Sequence, residues 1–211
     1  ATAPPAFSYY HVKTLIFDRK EAFVMSANLM WAHFQITRNY GVLDSDPADV
    51  ADLMSIVDAD FNGTTPDLGC TRLVVSPVNS RQRVLEVIGK AQTSVFIEAM
   101  EMKDTDVRNA IRAKKAAGLD VRALVPDPAW ISASTMDAQW YQSAGVPVKY
   151  FKQYDLHAKL IVADDIALIG SENYTYTSLN QNREIGMLIT EQTPMAAAKQ
   201  QFEADWNVGV A

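Results

Sequence analysis

One motif occurs twice, and this limits the fold more than any other feature of the chain. His11-Val-Lys13-Thr-Leu-Ile-Phe-Asp18 and His157-Ala-Lys159-Leu-Ile-Val-Ala-Asp164 share the spacing H-x-K-x4-D. Each is followed by an apolar run and then by S-x-N, as Ser26-Ala-Asn28 and Ser171-Glu-Asn173. A histidine and a lysine two apart on a strand point to the same face. The runs from Leu160 to Ala163 and from Ile166 to Ile169 suit buried strands. Gly170-Ser171 closes the second run and is expected to open a helix, with Ser171 or Glu172 near its N-terminus. Imidazole, ammonium, hydroxyl, side-chain amide and helix N–H groups would then converge, a set that suits an anionic phosphate.

The repetition extends beyond the motifs. Arg38-Asn39-Tyr40-Gly41 matches Arg183-Glu184-Ile185-Gly186, and Asp58-Ala-Asp60-Phe61-Asn62 matches Glu203-Ala-Asp205-Trp206-Asn207, at one common offset. Residues 11–62 and 157–207 therefore read as two copies of a strand–helix–strand–helix unit. Strands alternating with helices of roughly ten residues predict an α/β fold. Asp46-Pro47 is a helix-start signal, an N-cap followed by a first-turn proline. A short helix is expected over Asn28–Gln35. The copies are unequally equipped, because strands and helices from Arg72 onward precede the second motif and only ten residues precede the first. The expected organisation is a truncated first domain over 1–62, a linker over 63–71 and a complete second domain over 72–211.

Composition narrows the partners. A net charge of −6 over 211 residues disfavours a basic surface that holds nucleic acid without specificity. Cys70 is the only cysteine, which excludes an internal disulfide. No apolar run approaches the roughly 18 residues of a membrane span. The start, Ala1-Thr-Ala-Pro-Pro-Ala, carries no signal peptide and would suit a chain whose leader has been removed. A secreted or periplasmic setting is expected ahead of a cytoplasmic one. Three histidines and one cysteine show no metal-ligand spacing.

The doubled H-x-K-x4-D with its S-x-N tails resembles the phospholipase D superfamily. Ser94-Val-Phe-Ile-Glu-Ala-Met-Glu-Met102 resembles that family's central strand, and Ala117-Gly-Leu-Asp-Val-Arg-Ala-Leu-Val125 its following helix-to-strand step. Gly145-Val-Pro-Val-Lys-Tyr150 leads into the second motif as it often does there. Met25 departs from the pattern, standing where the family has glycine. Five residues separate Asp164 from Gly170 where six are usual, so that hairpin is expected to be one residue tighter. The resemblance implies mixed β-sheets flanked by helices, in two pseudo-symmetric repeats.

The resemblance also implies a metal-free phosphodiesterase with no cofactor. One histidine attacks phosphorus and gives a phosphohistidine, and the other protonates the leaving oxygen. His11 is the expected nucleophile and His157 the acid. Lys13 and Lys159 would hold the non-bridging oxygens, Asn28 and Asn173 would donate to them, and Ser26 and Ser171 would support that ring. Glu184 stands at a position resembling the family's histidine-orienting carboxylate, and the first repeat has Asn39 there. Asp18 and Asp164 are expected to make structural pairings, and His33 to be an ordinary helix residue. Glu98 and Glu101 could either reach the site or cap a core strand. A phospholipid is the expected substrate. A nuclease using the basic cluster Arg108, Arg112, Lys114, Lys115 and Arg122 is the alternative, and a non-catalytic binding remnant a third reading. The truncated first sheet would leave an open apolar edge, to be covered by a partner chain or by self-association.

Overall fold

The apolar runs of the repeats become antiparallel hairpins, and everything else is packed around them. A computed structural model describes residues 7–68 and 71–211; residues 1–6 and 69–70, including Cys70 and part of the expected linker, lie outside the described residues. In chain order the first repeat contains β1 (Thr14–Phe17), β2 (Glu21–Met25), α1 (Trp31–Gln35), β3 (Thr37–Arg38), β4 (Gly41–Asp44) and α2 (Pro47–Asn62). Next come β5 (Leu73–Ser76), α3 (Ser80–Lys90), β6 (Ser94–Ala99), α4 (Thr105–Ala116), β7 (Asp120–Pro126), α5 (Ser134–Ser143) and β8 (Val148–Phe151). The second repeat follows with β9 (Asp155–Leu156), β10 (Lys159–Ala163), β11 (Ile166–Gly170), α6 (Tyr176–Asn180), β12 (Glu184–Ile189) and α7 (Gln192–Val208).

The strands form a mixed seven-stranded sheet in the order β5-β12-β11-β10-β6-β7-β8 and a three-stranded sheet β1-β2-β4. Helices flank the sheets, as the sequence reading expected. The helix start at Asp46 is as read, with the Asp46 side chain accepting from Ala48 N at 2.8 Å and Pro47 opening the helix. Both motif hairpins turn through left-handed residues, Asp18 and Arg19 in one and Asp164 in the other. Phe17 pairs with Glu21 but Ala163 pairs with Ile166, so the second hairpin is one residue tighter.

Two expectations about helices need correction. No helix opens at Ser171 or Glu172, because α6 starts only at Tyr176, capped by Thr175. The intervening chain is held straight by tertiary pairing: Tyr174 N donates to Glu101 O, and Lys103 N and Asp104 N both donate to Tyr174 O. The first-repeat helix is likewise shorter than Asn28–Gln35 and begins at Trp31. Helix N–H groups therefore do not contribute to the site in the way the sequence suggested.

The largest core lies between the seven-stranded sheet and α3, α4 and α5. It includes Ile161, Ala163, Leu168, Tyr174 and Leu179, with Leu188 packed against it. At an offset of 146 before the motif hairpin and 145 after it, these six positions correspond to Leu15, Phe17, Phe23, Leu29, Phe34 and Leu43. In the first repeat nothing among the described residues plays the part of α3 and α4, so Phe17, Leu29, Phe34 and Leu43 are 46, 66, 55 and 62% exposed. β1 also lacks the neighbour that β6 gives to β10. The other face of the first sheet is covered: Ala22 and Val24 pack with Val50, Leu53 and Ile56 of α2 and with Val75 and Ile185. Each such buried aliphatic side chain contributes roughly 1.5–3 kcal/mol.

Asp164 makes the structural pairing expected of it. Its carboxylate accepts from the N–H groups of Gln92, Thr93 and Ser94 at 2.5–3.0 Å and from the Thr93 hydroxyl, fixing the entry to β6. Asp18 stays exposed at its turn. Partial burial pushes the Asp164 carboxyl up, but the Thr93 hydroxyl and the backbone donors outweigh it and hold it down to about 2. A depressed carboxyl contributes stability above its unfolded range and loses it as the pH falls through the folded value. Asp164→Asn is therefore expected to lower unfolding stability by about 1–2 kcal/mol at neutral pH. The difference from wild type should close between the ordinary carboxylate range and pH about 2. Denaturant titrations at several pH values check this, and a gap independent of pH would contradict it.

Candidate active site

The two motifs meet because each repeat lends a strand end to the other. β3 of the first repeat pairs in parallel with β9 of the second, with Asp155 N donating to Ile36 O and His157 N to Arg38 O. The mirror contact joins Tyr10 to Arg183, with Arg183 N donating to Tyr9 O and His11 N to Arg183 O at 2.9 Å each. Crossed ion pairs lock the same joint. Arg38 binds Asp205 of α7, and Arg183 binds Asp60 of α2. Sequence reading aligned Asp60 with Asp205 and Arg38 with Arg183, but it did not reveal that the pairs run between repeats.

The crossing decides which residue holds each histidine. His11 Nδ1 lies 2.7 Å from Glu184 Oε2, whereas His157 Nδ1 lies 3.0 Å from Asn39 Oδ1. Glu184 thus serves the histidine of the other repeat. It is fully buried and also accepts from Ser171 Oγ, Ser178 Oγ and Asn182 Nδ2 at 2.6–3.0 Å, four donors that suit an ionised carboxylate. Asn39 is held equivalently: Ser26 Oγ donates to its Oδ1 and Asn39 Nδ2 to His33 O. Ser26 Oγ also accepts from Tyr40 N, and Ser171 Oγ from Ile185 N, at 3.0 Å each. The two serines therefore brace the histidine acceptors.

Lys13 and Lys159 fold back on their own motifs, each Nζ donating to the carbonyl of the histidine two residues earlier at 2.9 Å. Both are buried, and burial is the main reason their pKa values fall, to about 8 for Lys13 and about 7 for Lys159. Burial also dominates at His157, and the charges of Lys159, His33, Lys13 and His11 add to it, taking its pKa down to about 2. A pKa this low leaves His157 a neutral imidazole at neutral pH.

His33 turns out to be more than a helix residue. Its ring meets the His157 ring edge-on at 4.5 Å, and its Nδ1 accepts from Asn28 N at 3.1 Å. No repeat signal pointed to this, since Ser178 stands opposite it in the second repeat. Asn28 lies beside His33, with Nδ2 3.4 Å from Nε2, and Asn173 Oδ1 is buried with no hydrogen-bond partner among the described residues. Glu98 does not reach this cluster and instead accepts from Tyr40 OH at 2.6 Å. Glu101 pairs with Lys103, and its charge acts on Lys159. Among the described residues no three of His, Cys, Asp and Glu converge as metal ligands would.

The crossed acceptors make a specific expectation for solution. A carboxylate favours the imidazolium of its partner and an amide does so much less. Glu184→Gln should move the ring ¹⁵N resonances of His11 and leave those of His157 nearly unmoved, read by NMR of the two imidazoles. A larger movement at His157 would contradict the crossed arrangement.

Comparison with known proteins places the chain in a family. The family described as cardiolipin synthase, PLD-like domain, matches residues 84–206, more than half of the chain. Cardiolipin synthase 1 of Bacillus cereus is 30% identical over 149 residues, which cover 65% of this chain and 29% of that protein. The chain thus spans less than a third of this curated relative. Among solved structures, the phospholipase D family member Nuc from Salmonella typhimurium matches with a TM-score of 0.60 at 24% identity, over 66% of this chain and 95% of its own. Phosphatidylserine synthase of Haemophilus influenzae matches with a TM-score of 0.72 at 12% identity, over 94% of this chain and 62% of its own, a likeness of fold. With two H-x-K-x4-D motifs brought to one joint and a family match over most of the second motif's domain, the chain belongs to the phospholipase D superfamily.

Proposed function

We propose that the chain is a phosphodiesterase of phospholipase D type that acts on phospholipids through a phosphohistidine. The observation that carries this reading is the pair of imidazoles at one joint, each held through Nδ1 by an acceptor of the other repeat. With Nδ1 engaged, Nε2 is the nitrogen left for chemistry. His11 is the nucleophile, because its Nδ1 rests on the Glu184 carboxylate, which supports the positive charge the ring takes on when Nε2 bonds to phosphorus. Its Nε2 attacks phosphorus, the bond to the leaving oxygen breaks, and His157 supplies the proton to that oxygen. In the second step neutral His157 takes the proton of water or an alcohol, whose oxygen attacks phosphorus and releases His11. Lys13 and Lys159 hold the non-bridging oxygens. Burial is the main depressant of His157 and the lysine charges add to it; a bound phosphate anion offsets the second of these and so favours the protonated ring that must donate.

Two features favour a lipid over a nucleic acid. α1 sets His33 against His157, while Met30, Trp31 and Ile36 around it are 52, 80 and 55% exposed. Four of the five residues of the basic cluster that could hold DNA or RNA are committed elsewhere. Arg108 binds Asp137, Arg122 binds Glu203, Lys114 donates to the carbonyls of Gly89 and Ala91, and Arg112 stacks on Trp140. The uncovered face of the first repeat supports a further part of the proposal, that a partner chain or self-association supplies a covering strand and helix.

A single preparation tests both parts. Phosphatidylglycerol vesicles should be turned over with an acid-labile phosphoenzyme. His11→Ala and His157→Ala should each lose roughly 10²–10⁴-fold in rate. Light scattering should find species larger than one chain. Cleavage of single-stranded DNA with intact vesicles would replace the lipid reading by a nuclease. Neither activity nor phosphohistidine would leave a binding remnant, and an active, monodisperse monomer would refute the covering partner.

A further inference from the structure

Glu172 is the one carboxylate of the site that the chemistry above leaves unused. It is fully buried, and neither carboxyl oxygen has a hydrogen-bond partner among the described residues. Its carboxyl lies over the facing pair Gly170 and Gly186 of β11 and β12, where a β-carbon on either glycine would overlap it. At Gly170 a β-carbon would also strike the Gly186 backbone. The glycines are therefore the cradle that lets this side chain in. The first repeat fills the equivalent space differently, with Met25 and Ala27 at the positions of Gly170 and Glu172. Only one half of the near-symmetric site has had an acid built beneath it.

An unpaired acid in such a place needs a charge partner. Lys159 stands beside the cradle, since it precedes Leu160, whose partner Ile169 precedes Gly170 in the neighbouring strand. Of the charges that act on Glu172, Glu184 pushes its carboxyl up and Lys13 and Lys159 pull it down, and it in turn acts on Tyr174. Lys159 faces Lys13 as its repelling neighbour and Glu184, Glu101 and Glu172 as its attracting ones; Lys13 faces Glu184 and Glu172. Glu184 exerts the larger pull on both lysines, but it is already engaged by His11 and three other donors. We propose that Glu172 is a positioning residue for the two motif lysines: sealed in its glycine cradle, it shares protons with them and keeps an ammonium available to the phosphate in the alkaline range. Interacting buried groups of this kind release their protons in steps that belong to the set rather than to one residue. Burial drives Glu172 up and the lysines down, and Glu172 is among the charges that hold the lysine pKa values up, so removal of the acid lets the lysines lose their protons sooner.

This inference deepens the phosphodiesterase reading and rests on it for its purpose, but its test needs no substrate. The lysine side chains are followed by NMR titration in the wild-type chain, in Glu172→Gln and in Glu172→Met, which fills the cradle without charge. Lys159 should titrate roughly one pH unit lower in both variants, with Lys13 moving the same way by less. Where the chain turns over a phosphodiester, the alkaline limb of kcat/KM should move down by the same amount while the acid limb stays. Thermal unfolding identifies which variants retain the fold, and one folded variant suffices. Lysine titrations unchanged in a folded variant would overturn the inference, with or without activity. Absence of activity together with a shifted titration would overturn the phosphodiesterase reading alone.

Discussion

The structure depends on one joint, where the strand end before each histidine pairs with the strand end before the other repeat's acceptor. Backbone hydrogen bonds from His11 to Arg183 and from His157 to Arg38 set the register. The Arg183–Asp60 and Arg38–Asp205 pairs clamp it from either side. Arg183 is only 2% exposed and also donates to Ser76 O, so losing Asp60 would leave a buried cation at a cost of about 3–5 kcal/mol. Without this register, Glu184 would not meet His11 and Asn39 would not meet His157.

Upon a symmetric frame the sequence has placed unlike chemistry. One imidazole rests on a carboxylate braced by three further donors, and the other on an amide. One half carries Glu172 over paired glycines, and the other carries Met25 and Ala27. One sheet is closed by β6, α3 and α4, and the other leaves its matching face in solvent. Two histidines that look equivalent in the motif thus sit in different surroundings.

Much of this was legible in the sequence, and the limits were physical. The doubled spacing brought out both histidines and both lysines, because period two and a near-constant offset are local properties; the two acceptors followed only from the family resemblance, and the serines brace those acceptors instead of the donor ring expected of them. The alternation of strands and helices, the Asp46 cap and the tighter second hairpin were legible for the same reason. The crossing was not, since it joins residues more than a hundred positions apart through two-residue strands that carry no pattern of their own. The helix expected at Ser171 failed because Tyr174 is drawn onto Glu101, Lys103 and Asp104, and tertiary pairing outweighed a good local start signal. His33 and Glu172 were missed because their partners in the other repeat, Ser178 and Ala27, break the very repetition that guided the reading.

The account stands on the claim that the two motifs build one anion site and not two. The most direct measurement is a titration of the chain with inorganic vanadate, followed by ¹⁵N NMR of the imidazoles of His11 and His157. One anion per chain that shifts both histidines along a single binding curve is the expected result. Two anions per chain, or a shift confined to one histidine, would contradict it.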